Sequence, residues 1–156
     1  MSEADTLPGV RMEKFMKEAL KEAKRGLSEG GIPIGAVLVR SGKIIGRGHN
    51  RRVQKNSPIL HAEIDCLQNA GRIKNYKGAV LYSTLMPCHL CSGAIVHFGI
   101  KKLVVGENKN YRGPGPRRFL KAHGVKVTNI QSKECVGIMK KFIKKNPELW
   151  KEDSGT

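Results

Sequence analysis

Beyond residue 34 the chain alternates short apolar runs with helix-length stretches, and glycine or proline marks most of the junctions. The runs cover residues 35–39, 43–48, 79–84, 102–105 and 125–130. Each is too short for a typical helix, and most are rich in β-branched and aliphatic residues, so each reads as a strand. Ser41-Gly42 joins the first two as a hairpin. Between the later runs lie stretches that read as helices: 61–70 stopped by Gly71, 88–98 stopped by Gly99, and a short one near 117–122 after a Gly113-Pro114-Gly115-Pro116 loop. An opening helix carries Met12, Phe15, Met16, Ala19, Leu20, Ala23 and Leu27 at helical spacing and ends at Gly30-Gly31, where Pro33 blocks continuation. A closing helix over 134–145 stops at Asn146-Pro147. A hairpin followed by helix–strand alternation requires crossover connections between parallel strands, and short strands of continuous apolar character need cover on both faces. The expected architecture is therefore an α/β, three-layer α/β/α sandwich, with a mixed five-stranded sheet and helices on both faces. No repeat or linker divides residues 1–156, so one domain is expected, with residues 1–9 flexible and 146–156 a C-terminal tail.

Charge narrows the partners. The net charge is +16, and residues 1–30 carry six basic and six acidic side chains, so the whole excess lies beyond Gly30, where 23 basic face 7 acidic residues. Such a surface attracts polyanions, nucleic acid first among them, although a solvated basic face is the commoner meaning. Arg47, Arg51, Arg52 and Lys55 flank Asn50, and Arg112, Arg117, Arg118 and Lys121 follow Tyr111. No apolar run reaches the roughly 18 residues of a membrane span, and the polar start of the chain does not read as a secretory signal. A cytoplasmic or nuclear setting is expected, and there the four cysteines, Cys66, Cys88, Cys91 and Cys135, stay reduced.

Two pieces carry chemistry: His61-Ala62-Glu63 and Pro87-Cys88-His89-Leu90-Cys91, each opening a predicted helix on either side of one strand. Cys88 and Cys91 share a helix face at i, i+3, and both are expected in a first turn, where the helix dipole lowers a thiol pKa. With His61 they supply three ligands for Zn²⁺, leaving the fourth position that a catalytic zinc keeps for water. Glu63 is placed to carry protons rather than to bind metal. A redox pair would use only the cysteines, and a structural zinc needs a fourth ligand, for which His49, His89, His97, His123, Cys66 and Cys135 are unassigned candidates. Taken together the pieces form the H-x-E…P-C-x-x-C pattern of zinc deaminases, which hydrolyse an exocyclic amine from a nucleobase-like ring.

From about Val10 to Asp153 the chain resembles the fungal-type cytosine deaminases of the cytidine deaminase-like superfamily, and more distantly the tRNA adenosine deaminases. The pieces that carry the resemblance are Gly30-Gly31-Ile32-Pro33-Ile34-Gly35, Gly46-Arg47-Gly48-His49-Asn50, His61-Ala62-Glu63, Leu81-Tyr82-Ser83-Thr84-Leu85, Pro87-Cys88-His89-Leu90-Cys91, Val105-Gly106-Glu107-Asn108 and Pro147-Glu148-Leu149-Trp150-Lys151-Glu152-Asp153. The last piece points to the cytosine enzymes. The resemblance implies a homodimer with one zinc per subunit that converts free cytosine to uracil and ammonia. It further implies that Asn50 and Asp153 contact the base edge, Tyr111 supplies an aromatic, Trp150 closes the pocket and Ile34 lines it. Ala62 and Met86 stand where the free-base enzymes usually carry glycine and serine; as neighbours of the metal ligands they are candidate determinants of base preference. By composition alone the tail bearing Trp150 and Asp153 reads as frayed. Three other readings remain open at this point: a deaminase of tRNA or another nucleic acid, a deaminase of a different small ring such as guanine or creatinine, and a non-catalytic zinc-stabilised module.

Overall fold

Alternate residues of the central strands enter two separate cores. In the computed structural model, which describes residues 8–156, the elements run α1 (Pro8–Ser28), β1 (Gly35–Arg40), β2 (Lys43–His49), α2 (Ala62–Ala70), β3 (Val80–Ser83), α3 (His89–His97), β4 (Lys102–Val105), α4 (Pro114–Ala122), β5 (Lys126–Asn129), α5 (Lys133–Lys145) and α6 (Pro147–Ser154). Ala36 and Leu38 of β1, Leu81 of β3 and Leu103 and Val105 of β4 pack with residues of α2, α3, α4, α5 and α6. Val37, Val39, Tyr82 and Val104, one position along, pack instead under Phe15, Met16, Ala19, Leu20 and Ala23 of α1. This alternation is the period-two signature of strands covered on both sides. Helix α5 contributes to both cores, Cys135 to that of α1 and Met139 and Phe142 to the other. Among the described residues no helix is long and apolar enough to cross a membrane.

The sheet is five-stranded and mixed, as the alternation predicts, in the order β2-β1-β3-β4-β5. Strand β1 pairs antiparallel with both β2 and β3, while β3–β4 and β4–β5 are parallel. The start of β1 and the end of β2 (Gly35 opposite His49) therefore lie at the edge where the parallel strands β3 and β4 finish. Ligand sites of α/β sheets form at this carboxyl edge.

Two glycines set how closely α2 lies on β2. A Cβ on Gly46 would press on the Cys66 carbonyl and Ala70, and one on Gly48 would strike the backbone of Asp65 and Cys66. Asp65, buried, fixes the same contact by polar means: its carboxylate accepts from the His49 backbone N–H at 3.1 Å and from Arg51 at 3.4 Å.

Three sequence expectations change. Pro8 and Gly9 belong to the first turn of α1 rather than to a flexible segment; residues 1–7 lie outside the described residues. The Gly113-Pro114-Gly115-Pro116 stretch is not all loop, because α4 starts at Pro114: proline in a first helical turn forfeits only a donor that has no intrahelical partner. The frayed-tail reading of 146–156 gives way to α6, whose Trp150 is buried in the core.

Adding a side chain at Gly48 has nowhere to go without separating α2 from β2, so Gly48→Ala is expected to lower the stability by about 1–3 kcal/mol. Gly137, exposed within α5 with open space around its Cα, gives the opposite sign: Gly137→Ala raises stability by about 0.5–1 kcal/mol. Urea denaturation of the two variants beside the parent checks both.

Candidate active site

Helices α2 and α3 are each opened by a residue in extended conformation, His61 (φ −63°, ψ 164°) and Cys88 (φ −75°, ψ −178°), and neither side chain caps its own helix. Both are thus free to turn toward each other. The His61 Nδ1 atom lies 3.3 Å from Cys88 Sγ and 3.5 Å from Cys91 Sγ, and the three donor atoms fall within 4.8 Å of one another. Two sulfurs and an imidazole nitrogen are a borderline-soft set suited to zinc, and no fourth protein donor joins them among the described residues. Of the unassigned candidates for such a donor, His49 lies between Glu22 and Glu29, and Cys66 and Cys135 are in the cores. Three protein donors are the number a catalytic zinc takes, one fewer than a closed structural centre needs.

Glu63, one residue into α2, is buried beside this set. Loss of hydration pushes its carboxyl up to about 7, against the opposing pull of the His61 charge. The thiols do not behave alike. Cys88 sits at the N-cap and is drawn down to about 4, chiefly by its hydrogen bond with Cys91 and also by His61. Cys91, inside the first turn, is held well above the ordinary thiol value by that same bond and by burial. Of the two thiols expected to be lowered at this helix start, only Cys88 is, through its bonds with Cys91 and His61 and the His61 charge, while Cys91 is raised. Burial opposes a charge on His61, but the bond with Cys88 and the Glu63 and Asp153 charges raise it to about 9. Zinc displaces these protons when it binds.

A narrow cavity of about 30 Å³ opens on the ligands, walled by Ile34, Glu63, Leu85, Met86, Tyr111, Trp150, Asp153 and Ser154 with His61 and Cys88. Ile34, Met86, Tyr111, Trp150 and Asp153 are the residues the sequence places there. Leu85 and Ser154 join them without a motif that singles them out. Asn50 and Ala62 lie behind the wall: Ala62 packs in the core, and the Asn50 amide is spent on Asp153, donating to its Oδ1 at 3.2 Å, while its carbonyl oxygen accepts from the Arg52 backbone N–H at 3.1 Å.

Residues 10–107 match the family described as the cytidine and deoxycytidylate deaminase zinc-binding region. The chain belongs to this family. It is 47% identical over 145 residues to the cytosine deaminase of Candida albicans, covering 91% of this chain and 95% of that protein. It is 40% identical over 141 residues to the tRNA-specific adenosine deaminase of Buchnera aphidicola, covering 83% of this chain and 92% of that protein. A solved structure from work on tRNA:A34 deaminases superposes with a TM-score of 0.71 at 32% identity, over 81% of this chain and 99% of that one. The protein is a zinc deaminase, a hydrolase, and His61, Cys88 and Cys91 are its candidate metal site.

Arg52 is the residue of this deaminase whose role the sequence misrepresents. Its side chain does not face solvent as part of a polyanion surface. It grips Glu152 with two bonds of 2.7 Å, donates to Asp153 Oδ1 at 2.8 Å and to the Pro58 carbonyl at 2.9 Å, and so ties the loop after β2 to α6. Arg47 and Arg51 are likewise paired, with Glu22 and Asp65. Asp153 Oδ1 in turn lies 3.7 Å from His61 Nε2, on the side of the ring away from the sulfurs. The chain of interactions therefore runs Arg52–Asp153–His61–metal.

Cys91→Ala is expected to abolish stoichiometric zinc, read by metal analysis, whereas Glu63→Gln keeps the metal and lowers the deamination rate by about 10²–10⁴-fold. Arg52→Ala frees α6 at its carboxylates; hydrogen exchange of residues 147–154 is expected to quicken while β3 and β4 stay protected.

Proposed function

We propose that the protein hydrolyses free cytosine to uracil and ammonia. The observation that carries this reading is the lid-like position of α6: Trp150 and Asp153 form part of the cavity wall and obstruct a strand threaded past the candidate metal ligands. Such a cavity, about 30 Å³ as it stands, holds little more than water, so the base enters with part of the wall displaced. The 47% identity to a cytosine deaminase, against 40% to a tRNA enzyme, supports the same substrate.

Zinc held by His61, Cys88 and Cys91 supplies Lewis acidity that brings the ionisation of water toward neutral pH. Glu63, whose carboxyl burial raises above the usual carboxylate range, is suited both to take a proton from water and to give it up. It delivers protons to the ring nitrogen and to the departing amine; water's oxygen becomes the uracil carbonyl and ammonia leaves. The apolar and aromatic wall of Ile34, Met86, Tyr111 and Trp150 receives the ring faces. Asp153 addresses the polar edge, and Asn50 serves by holding that carboxylate in place. Ala62, next to His61 in the chain, is fully buried and contributes to the core beneath the site.

The reading includes a homodimer. Leu90 and Phe98 are exposed at the two ends of α3, with half-buried Gly93 and Ala94 between them, and Ile59 is exposed just before α2. This apolar stretch is the natural place for a second copy. It also includes a reducing setting, cytoplasm or nucleus, where the thiol ligands survive, and a part in pyrimidine salvage.

Incubation of the zinc-loaded protein with cytosine is expected to release equal amounts of uracil and ammonia, followed by ultraviolet absorbance and product mass spectrometry. Turnover of tRNA adenosine with none of cytosine defeats the reading. Sedimentation of the same sample is expected to give twice the chain mass.

A further inference from the structure

Most arginines of the N-terminal half are neutralised locally: Arg25, Arg47, Arg51 and Arg52 each lie within 4.0 Å of a carboxylate. A second group behaves differently. Asn108, Lys109, Arg112, Pro114, Arg117 and Arg118 line an open cleft of about 550 Å³. No carboxylate lines it, and none lies within ion-pair distance of its four cationic side chains among the described residues. Four like charges lining one concavity repel one another, so their gathering there gains nothing in stability by itself.

The cleft is also built rather than frayed. Glu107, fully buried, accepts from the Lys109 and Asn110 backbone N–H groups at 2.7 and 3.0 Å and from the Asn110 side chain at 2.7 Å, which fixes the loop beneath the cations. The Asn108 carbonyl oxygen accepts from Gln131 at 2.9 Å, leaving its amide N–H groups for another partner. Arg117 and Arg118 stand side by side in the first half of α4, whose start at Pro114 forms the far wall. All four cationic side chains are exposed.

We propose that this cleft binds closely spaced phosphate groups, as found in a free oligophosphate or along a nucleic-acid backbone. Arginine forks and lysine ammonium groups match phosphate oxygens, and four of them exceed what one monoanion can neutralise. The location adds a consequence. Tyr111 lies between Lys109 and Arg112 in sequence and walls the catalytic cavity, so an anion in the cleft clamps the segment that carries a wall of the deaminase site.

The test uses the zinc-loaded full chain with two probes, inorganic tripolyphosphate and a fluorescent single-stranded uridine oligonucleotide, which offers phosphates but no amine to remove. Binding is followed by calorimetry for the first and by anisotropy for the second. At least one probe is expected to bind, and the Arg117→Glu/Arg118→Glu double variant to weaken it at least about tenfold while cytosine turnover persists. For the oligonucleotide the salt dependence of binding should also flatten, by about 0.7 units of slope for each phosphate that the variant no longer neutralises. A control variant, Lys140→Glu/Lys141→Glu on the exposed side of α5, keeps the affinity within about twofold to threefold. Binding of tripolyphosphate alone identifies a free oligophosphate as the source; binding of the oligonucleotide alone identifies a strand. Failure of both probes to bind overturns the proposal. So does an equal drop in affinity for the control variant, because the attraction then belongs to the net charge and not to the cleft.

Discussion

The meeting of two helix starts at one point of the sheet edge is the constraint on which the site depends. His61 and Cys88 occupy equivalent cap positions on α2 and α3, and their donor atoms are 3.3 Å apart. That closeness is produced by the sheet, not by local sequence. Strand β3 delivers the segment before α3, β1 and β2 place the loop before α2 beside it, and Gly46 and Gly48 let α2 settle onto β2. At this junction the Cys88 thiol is lowered by its hydrogen bonds with Cys91 and His61 and by the His61 charge, which favours a thiolate there. Everything with a chemical role lies within reach of this point.

A second layer of order comes from the C-terminal helix. Asp153 is a buried carboxylate, and such a group is tolerated only when other groups replace its lost hydration. Arg52 and Asn50 do this from the loop after β2, and the His61 ring lies on the same oxygen. A metal ligand whose second ring nitrogen faces a carboxylate is fixed in orientation and tautomer. The tail thus has two tasks: it forms a wall of the cavity and it steadies a ligand. Trp150, packed in the core, keeps the helix from drifting off either task.

Most of the architecture was legible because it rests on local patterns. The five apolar runs became the five strands, and the glycines after residues 70 and 98 ended α2 and α3 in left-handed conformations that other residues rarely adopt. The grouping of His61, Cys88 and Cys91 with Glu63 at one cavity was legible through spacing and through Pro87 before the first cysteine. The misses share a cause. Whether a terminal octapeptide frays, or whether Arg52 meets water or a carboxylate a hundred residues away, is decided by long-range contacts that leave no periodic trace. The start of α4 was missed for a different reason: Pro114 and Pro116 break a helix in its middle but suit its first turn, and sequence alone does not say which position they hold. The asymmetry between Cys88 and Cys91 depends on burial of one sulfur beside the other, also invisible to spacing.

The cleft lined by Lys109, Arg112, Arg117 and Arg118 shares no lining residue with the catalytic cavity. Its positive charges discriminate by ionic character alone: a neutral ring feels only weak dipolar forces there, whereas an anion is drawn in and a small cation is turned away. Part of the excess charge beyond Gly30 is thus gathered where it sorts solutes by sign before shape matters.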